Sequence, residues 1–213
     1  MNTDRTEFFP EEESAAPQKP GRLAEEIYSI LRDFSVILAV VAVVFVFVVR
    51  LVGVSGSSMY PTLVDKDYML VLSNFISDDY KNGDVVVMTV PTFSEDPIVK
   101  RVIATAGQTV DIDFETATVY VDGVALDEPY ICEPTHTDFA EGLTYPAVVP
   151  EGCIFVLGDN RNHSTDSRYG LIGMVDTRYV MGRVICIALP GRQTDNRGNV
   201  TGGRDFSRIG GLS

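Results

Sequence analysis

A chain of 213 residues has room for one good-sized globular domain with an appendage, and enough length to bury a core without metals or a dense set of disulfides. Its formal net charge of −13, with no cluster of Lys and Arg, excludes nucleic acid as a partner, because phosphates demand clustered cations. Cys132, Cys153 and Cys186 lie too far apart for a zinc site or a C-x-x-C redox motif, so no metal or other cofactor is expected.

Residues 1 to about 20 are polar, acidic and dotted with proline, with Glu11, Glu12 and Glu13 at their centre. Such a segment cannot bury enough apolar surface to order itself and reads as a disordered tail. Between Arg22 and Asp33, the apolar positions Leu23, Ile27, Ile30 and Leu31 recur at helical spacing, which predicts a short amphipathic lead. From Phe34 to Val49 there is no charged residue, and with Arg50 snorkelling to the interface the apolar segment continues to Val54. As a helix, residues 34–54 would span roughly 31 Å, about the hydrocarbon thickness of a bilayer. The stretch is apolar on all sides, which favours a transmembrane helix over a buried core helix. A cleaved signal peptide is the other reading, since Gly53 and Ser55 resemble a small-residue cleavage site; the acidic leader and the length of the run argue against it. Lys19, Arg22 and Arg32 before the span, set against Arg50 and Lys66 after it, favour a cytoplasmic N-terminus and an extracytoplasmic body in the cell membrane.

After the span the pattern changes to short β-branched runs separated by turn residues. Residues 68–72, 84–90, 98–103, 109–113, 118–121, 153–157 and 180–189 each read as strands, and Asn82-Gly83 and Asp122-Gly123 are strong turn signals. The body, residues 55–190, is therefore expected to be mainly β. Within it, residues 107–150 hold a hairpin followed by a looser region broken by Pro129, Pro134 and Pro146, which suggests a small inserted subdomain. Residues 191–213, rich in Gly, Asn and Arg, are expected to form a flexible tail.

Three stretches carry candidate chemistry. Gly56-Ser57-Ser58-Met59-Tyr60-Pro61-Thr62-Leu63 follows the apolar run closely; its small residues admit another backbone, and Pro61 restricts itself and Tyr60. That arrangement either presents a nucleophile or is an ordinary loop. In Ile98-Val99-Lys100-Arg101-Val102-Ile103 two cations interrupt a strand, and because successive side chains face opposite ways, one of them is expected to point inward. A desolvated lysine there has a lowered pKa and can act as a general base, whereas the plain alternative is an edge strand guarded by charge. The stretch from Gly158 to Arg168 reads as a polar loop leaving a strand, in which Asp159, Arg161, Asp166 and Arg168 can pair internally and hold Ser164. A solvated turn is its alternative. Two catalytic designs follow: Ser58 attacking an amide with Lys100 as base and Ser164 orienting the amine, or His163 as base oriented by Asp166 or Asp159. The second is weaker, since His163 sits in a polar loop beside the serine it would compete with.

Together these stretches resemble the bacterial type I signal peptidase family, from the span to about Leu189. Ser58-Met59-Tyr60-Pro61-Thr62-Leu63 resembles its nucleophile box, Lys100-Arg101-Val102-Ile103 its general-base box, and Gly158-Asp159-Asn160-Arg161 through Arg168 a further box; Gly83-Asp84-Val85-Val86 and Gly182-Arg183 are similar to two more segments. The resemblance implies Ser58 as nucleophile, Lys100 as base, Ser164 as the orienting hydroxyl, and Asp159, Arg161, Asp166 and Arg168 as the scaffold of the site. It also implies an antiparallel β catalytic core with a smaller inserted β subdomain. The backbone N–H of Ser58 would donate to the oxyanion. Some members add a hydroxyl two residues earlier, where this chain has Gly56, and Asn162-His163 stands where an Asp-Asn pair is frequent.

The implied substrate is a secreted preprotein with small residues at −3 and −1 before the cut, bound as an added strand, with Met59, Tyr60 and Pro61 among the contacts. The other expected partners are the lipid bilayer, against which Met59 and Tyr60 would rest, and the secretion machinery. Cys132 and Cys153 are candidates for a disulfide outside the cytoplasm, and Cys186 for a buried thiol. Two competing readings are a self-cleaving Ser-Lys peptidase of the repressor type and an anchored module that holds signal peptides without cutting them.

Overall fold

The computed structural model describes residues 21–139 and 141–212; the tail expected over residues 1–20 lies outside them. The first element is α1 (Arg22–Val43), which runs on through one π-helical turn, Val44–Val48. Taken together they form one helix long and apolar enough to cross a membrane, and none of its residues is buried in the protein. The amphipathic lead and the apolar run are thus a single helix.

The expected span over residues 34–54 is corrected at its C-terminal end. From Val49 the chain becomes a strand, β1 (Val49–Gly53), paired antiparallel with β2 (Tyr68–Ser73) so that Leu51 faces Leu70. A valine-rich run suits a strand as well as a helix, and composition alone does not place the junction. Pairing with β2 satisfies the backbone groups of β1 that face it, while Val52 and Val54 join a core with Met69 and Val71.

The strands that follow are β3 (Val85–Val90), β4 (Ser94–Thr105), β5 (Thr109–Asp113), β6 (Thr118–Val121), β7 (Val124–Ala125), β8 (Ala147–Val148), β9 (Cys153–Leu157), β10 (Val175–Asp176), β11 (Val180–Leu189), β12 (Arg192–Thr194) and β13 (Val200–Arg204). Five of them join β1 and β2 in a seven-stranded antiparallel sheet in the order β1-β2-β11-β3-β4-β9-β10. Between β4 and β9 the chain builds a second sheet, β7-β6-β5-β8, whose tight turn at Asp122-Gly123 has φ of 53° and 78°, the positive pair that a type I′ hairpin requires. The fold is mainly antiparallel β with one N-terminal apolar helix, as the sequence predicts.

The centre of the large sheet is covered on both sides. Along β3, Val86 and Met88 belong to one apolar cluster with Ile98, Val102 and Val156, while Val85 and Val87 belong to another with Met59, Leu63 and Val99. This explains why β3 reads as an unbroken apolar run rather than an alternating one.

The C-terminal stretch is the second correction. Residues expected to be mobile form the β12–β13 hairpin, and Ile187 N donates to Gly210 O (2.8 Å) with Gly210 N returning to Ile187 O (3.1 Å). The Asn and Gly residues that suggested disorder build a turn: the Asp195 carboxylate accepts from the backbone N–H of Arg197 (2.9 Å) and of Asn199 (2.8 Å). Cys132, Cys153 and Cys186 are all free thiols, so the candidate disulfide is not formed, and Cys186 is half-buried rather than buried.

Candidate active site

The loop carrying Ser58 is fixed by its apolar neighbours. Met59 and Leu63 are buried in the cluster with Met69 and Val71, and Leu63 N donates to Met59 O (2.9 Å), closing a turn. Ser58 is left half-buried just before it, with its carbonyl accepting from Asn160 N (3.1 Å). Met59 is therefore a core residue; Tyr60 is half-buried and Pro61 exposed.

Lys100 enters from β4, opposite Val86, and is buried at 3% exposure. Its Nζ donates to Ser58 Oγ at 2.8 Å. Burial lowers its pKa from 10.5 to about 8, against the upward pull of the Asp166 and Asp159 carboxylates and with a smaller downward push from the Arg168 guanidinium. At a pKa of about 8, roughly a tenth of the amine is neutral at pH 7, against a small fraction of a per cent for a free lysine, and it lies beside a hydroxyl, the arrangement needed to take a proton from a serine.

The expectation that only one of Lys100 and Arg101 points inward is also corrected: Arg101, at 7% exposure, is buried on the other face. Its Nε and Nη2 grip Asp159 Oδ1 and Oδ2 at 2.8 and 2.7 Å, its Nη1 donates to Gly83 O (2.9 Å), and its guanidinium lies 4.0 Å from the ring centre of Tyr130. Thr62 Oγ1 adds a 2.5 Å hydrogen bond to Asp159 Oδ2, which ties the Ser58 loop to the pair.

Of the four charges expected to pair among themselves, only Asp166 and Arg168 do so, at 2.8 and 2.9 Å. Arg161 reaches into the inserted region instead, donating to Glu128 at 2.9 and 2.6 Å and to Thr135 Oγ1 at 2.9 Å. Both arginines are fully buried, and Arg168 Nη2 also donates to Arg161 O (2.6 Å). The result is a buried charged lattice around the site rather than a solvated turn. Arg183 Nη1 likewise donates to Asp84 Oδ2 (3.2 Å), joining the two segments around Gly83 and Gly182.

Gly158 is where three segments converge. A Cβ there would overlap Ser164 Oγ, Ser164 Cβ and Ser58 O, so only glycine lets β9 run past the serine this closely. Ser164 is buried, but its Oγ has no hydrogen-bond partner among the described residues, so the expected bond to the amine is absent. The histidine design fails on geometry: His163 Nε2 lies 3.8 Å from Glu133 Oε1, and Asp159 and Asp166 are engaged by arginines. Sequence reasoning missed Glu128, Tyr130 and the Asp159–Arg101 pairing, since nothing local in the sequence marks partners 58 residues apart.

A cavity of about 180 Å³ opens beside Ser58 and Lys100, walled by Val52, Val54, Met59, Val87, Ile98 and Val99. A buried amine bonded to a serine at the mouth of a small apolar cleft, on an antiparallel β scaffold, is a pairing that can serve as base and nucleophile. A family profile described as signal peptidase, peptidase S26, matches residues 27–189, and the chain belongs to that family, the type I signal peptidases. These are serine endopeptidases that remove signal peptides from preproteins. Signal peptidase I of Bacillus licheniformis is 35% identical over 176 residues, covering 80% of this chain and 90% of its own. Signal peptidase I T of Bacillus subtilis (strain 168) is 38% identical over 134 residues, 60% of this chain and 67% of that protein. A crystal structure of a signal peptidase I from Enterococcus faecalis V583 matches with 34% identity and a TM-score of 0.41, over 49% of this chain and 96% of that one. The apolar helix fits a membrane anchor.

Proposed function

We propose that Ser58 and Lys100 form the catalytic dyad and that the enzyme cuts preproteins after small residues at −3 and −1. The observation that carries this reading is the 2.8 Å hydrogen bond between a buried, pKa-lowered amine and the hydroxyl. Neutral Lys100 takes the Ser58 proton as Oγ attacks the scissile carbonyl; the Ser58 N–H, which has no protein acceptor among the described residues, stabilises the oxyanion. The resulting ammonium protonates the leaving amine, and the neutral lysine then activates water to hydrolyse the acyl-enzyme. Ser164 Oγ, buried and unbonded, is available to accept from the ammonium as it forms.

Substrate selection follows from the cleft. Its apolar walls, Val52, Val54, Ile98 and Val99, reject charged side chains, and the preference for small residues at −3 and −1 is carried over from the family resemblance. Residues 97–99 of β4 precede the point where β4 begins to pair with β9, at Arg101, and so offer backbone groups to an extended peptide. Anchoring holds enzyme and preprotein on one surface, with the N-terminus cytoplasmic, the body extracytoplasmic and the secretion machinery nearby.

Incubating the purified full chain with a preprotein tests the reading. A product starting at the predicted mature residue is expected from alanine at −3 and −1, none with a bulky residue at −1, and none from Ser58→Ala. Undiminished cleavage by Ser58→Ala would overturn it.

A further inference from the structure

We propose that the C-terminal segment, residues 191–212, is a clamp that holds the Ser58 loop from both ends, and that Arg208 is a positioning residue for the reaction. This rests on Ser58 being the nucleophile.

The first hold is built on Asp67, which is fully buried. Its carboxylate accepts from Val64 N (2.8 Å) in the turn after the Ser58 loop and from Gly191 N (2.6 Å) at the start of the C-terminal segment. Arg208 supplies its counter-charge, with Nη1 and Nη2 at 3.1 and 2.8 Å. The same Nη2 donates to Thr62 O (2.9 Å), so one guanidinium neutralises the buried acid and holds the carbonyl of a loop residue. Thr62 in turn bonds Asp159, the partner of Lys100's neighbour Arg101.

The second hold is at the other end of the loop. Asn160 Nδ2 donates to Ser57 O (2.9 Å) and to Asn196 O (2.6 Å), the latter at the tip of the β12–β13 hairpin. A Cβ at Gly198 would lie 3.7 Å from Ser57 Cβ, so the hairpin tip comes close to the residue before Ser58. The segment is itself moored: Arg204 Nη1 donates to Pro190 O (2.8 Å), Gly210 pairs with Ile187, and Leu212 packs on the core cluster containing Met59. The loop that presents Ser58 is thus flanked at residues 57 and 62 by a segment that contributes no side chain to the dyad.

Loosening either hold shifts Ser58 relative to Lys100. A displacement of about 1 Å at a reacting group costs on the order of 10²-fold in rate. The cleft walls supplied by the strands, Val52, Val87, Ile98 and Val99, are touched by neither hold, so the effect falls mainly on kcat.

The test compares wild type, Arg208→Ala, Arg208→Lys and Ser58→Ala as full chains in detergent, measuring kcat and KM on one preprotein together with thermal unfolding. A further variant replaces residues 195–198 with a two-residue Asn-Gly turn, which removes the hairpin tip and keeps Arg208. Arg208→Ala is expected to lose at least tenfold in kcat with KM within about twofold, and Arg208→Lys to recover much of the loss because it keeps a counter-charge for Asp67. The shortened hairpin is expected to lower kcat severalfold with KM unchanged, and it decides the matter alone if Arg208→Ala does not fold. Wild-type kcat in a folded Arg208→Ala or shortened-hairpin variant, with Ser58→Ala inert, overturns the clamp and leaves the dyad standing. Activity in Ser58→Ala instead overturns the nucleophile assignment, and the clamp with it.

Discussion

Lys100 and Arg101 are neighbours on β4 and are both buried, on opposite faces of the large sheet: register places Lys100 across from Val86 of one apolar cluster and Arg101 across from Val85 of the other. Burial treats them differently because their partners differ. Arg101 meets a carboxylate in bidentate geometry, whereas Lys100 meets a neutral hydroxyl, so its charged form is left poorly compensated. Two adjacent cations thereby differ: Arg101 is locked in an ion pair, and Lys100 is the base we propose.

The first consequence is a stability penalty carried by the proposed base. A pKa lowered from 10.5 to about 8 corresponds to about 3 kcal/mol of destabilisation at pH values where the lysine is charged in both the folded and the unfolded chain. The sign is fixed: the unfolded state binds more protons between about pH 8 and pH 10.5, so the penalty is complete below 8 and is relieved as pH rises through that window. Lys100→Met is predicted to abolish turnover while raising stability by up to about 3 kcal/mol near pH 7, and to lose that advantage near pH 10. Denaturant unfolding of both proteins at the two pH values measures it.

Asp159 is predicted to matter for folding before it matters for chemistry. Asp159→Ala leaves the Arg101 guanidinium buried without its carboxylate, at an expected cost of about 3–5 kcal/mol. It also removes one of the charges that raise the Lys100 pKa, so the pH limb of any residual activity should move to lower pH. Unfolding midpoints and a pH–rate profile check both effects.

Gly158→Ala is predicted to lose on the order of 10²-fold or more in kcat, because the added methyl meets Ser58 O and Ser164 and forces the serine away from Lys100. The check is kcat alongside near-ultraviolet circular dichroism, which should show the rest of the fold retained.

Much of this architecture can be read in the sequence, and the exceptions have physical causes. Runs such as 109–113 and 118–121 are short, β-branched and bounded by turn residues, and they form β5 and β6 with those bounds. Residues 49–53 were unreadable as a strand because the apolar run before them has no break in composition; only pairing with β2 ends the helix there. The C-terminal hairpin was hidden because Asn and Gly serve a tight turn and a disordered tail equally well. At the site, Ser58 and Lys100 stand out as a hydroxyl in a tight loop and a cation in an apolar run. Glu128, which holds Arg161, sits among prolines and carries no local signal, as its role depends on a contact 33 residues away.

The most direct test of the central claim is the pH dependence of kcat/KM for preprotein cleavage by wild type, with Lys100→Arg measured beside it. If a neutral Lys100 is the base, wild-type activity rises with unit slope from acid pH and levels near pH 8, the value to which burial lowers this amine, and Lys100→Arg is inactive throughout because arginine keeps its proton. A flat wild-type profile between about pH 6 and 9, or near-normal cleavage by Lys100→Arg, would contradict the assignment.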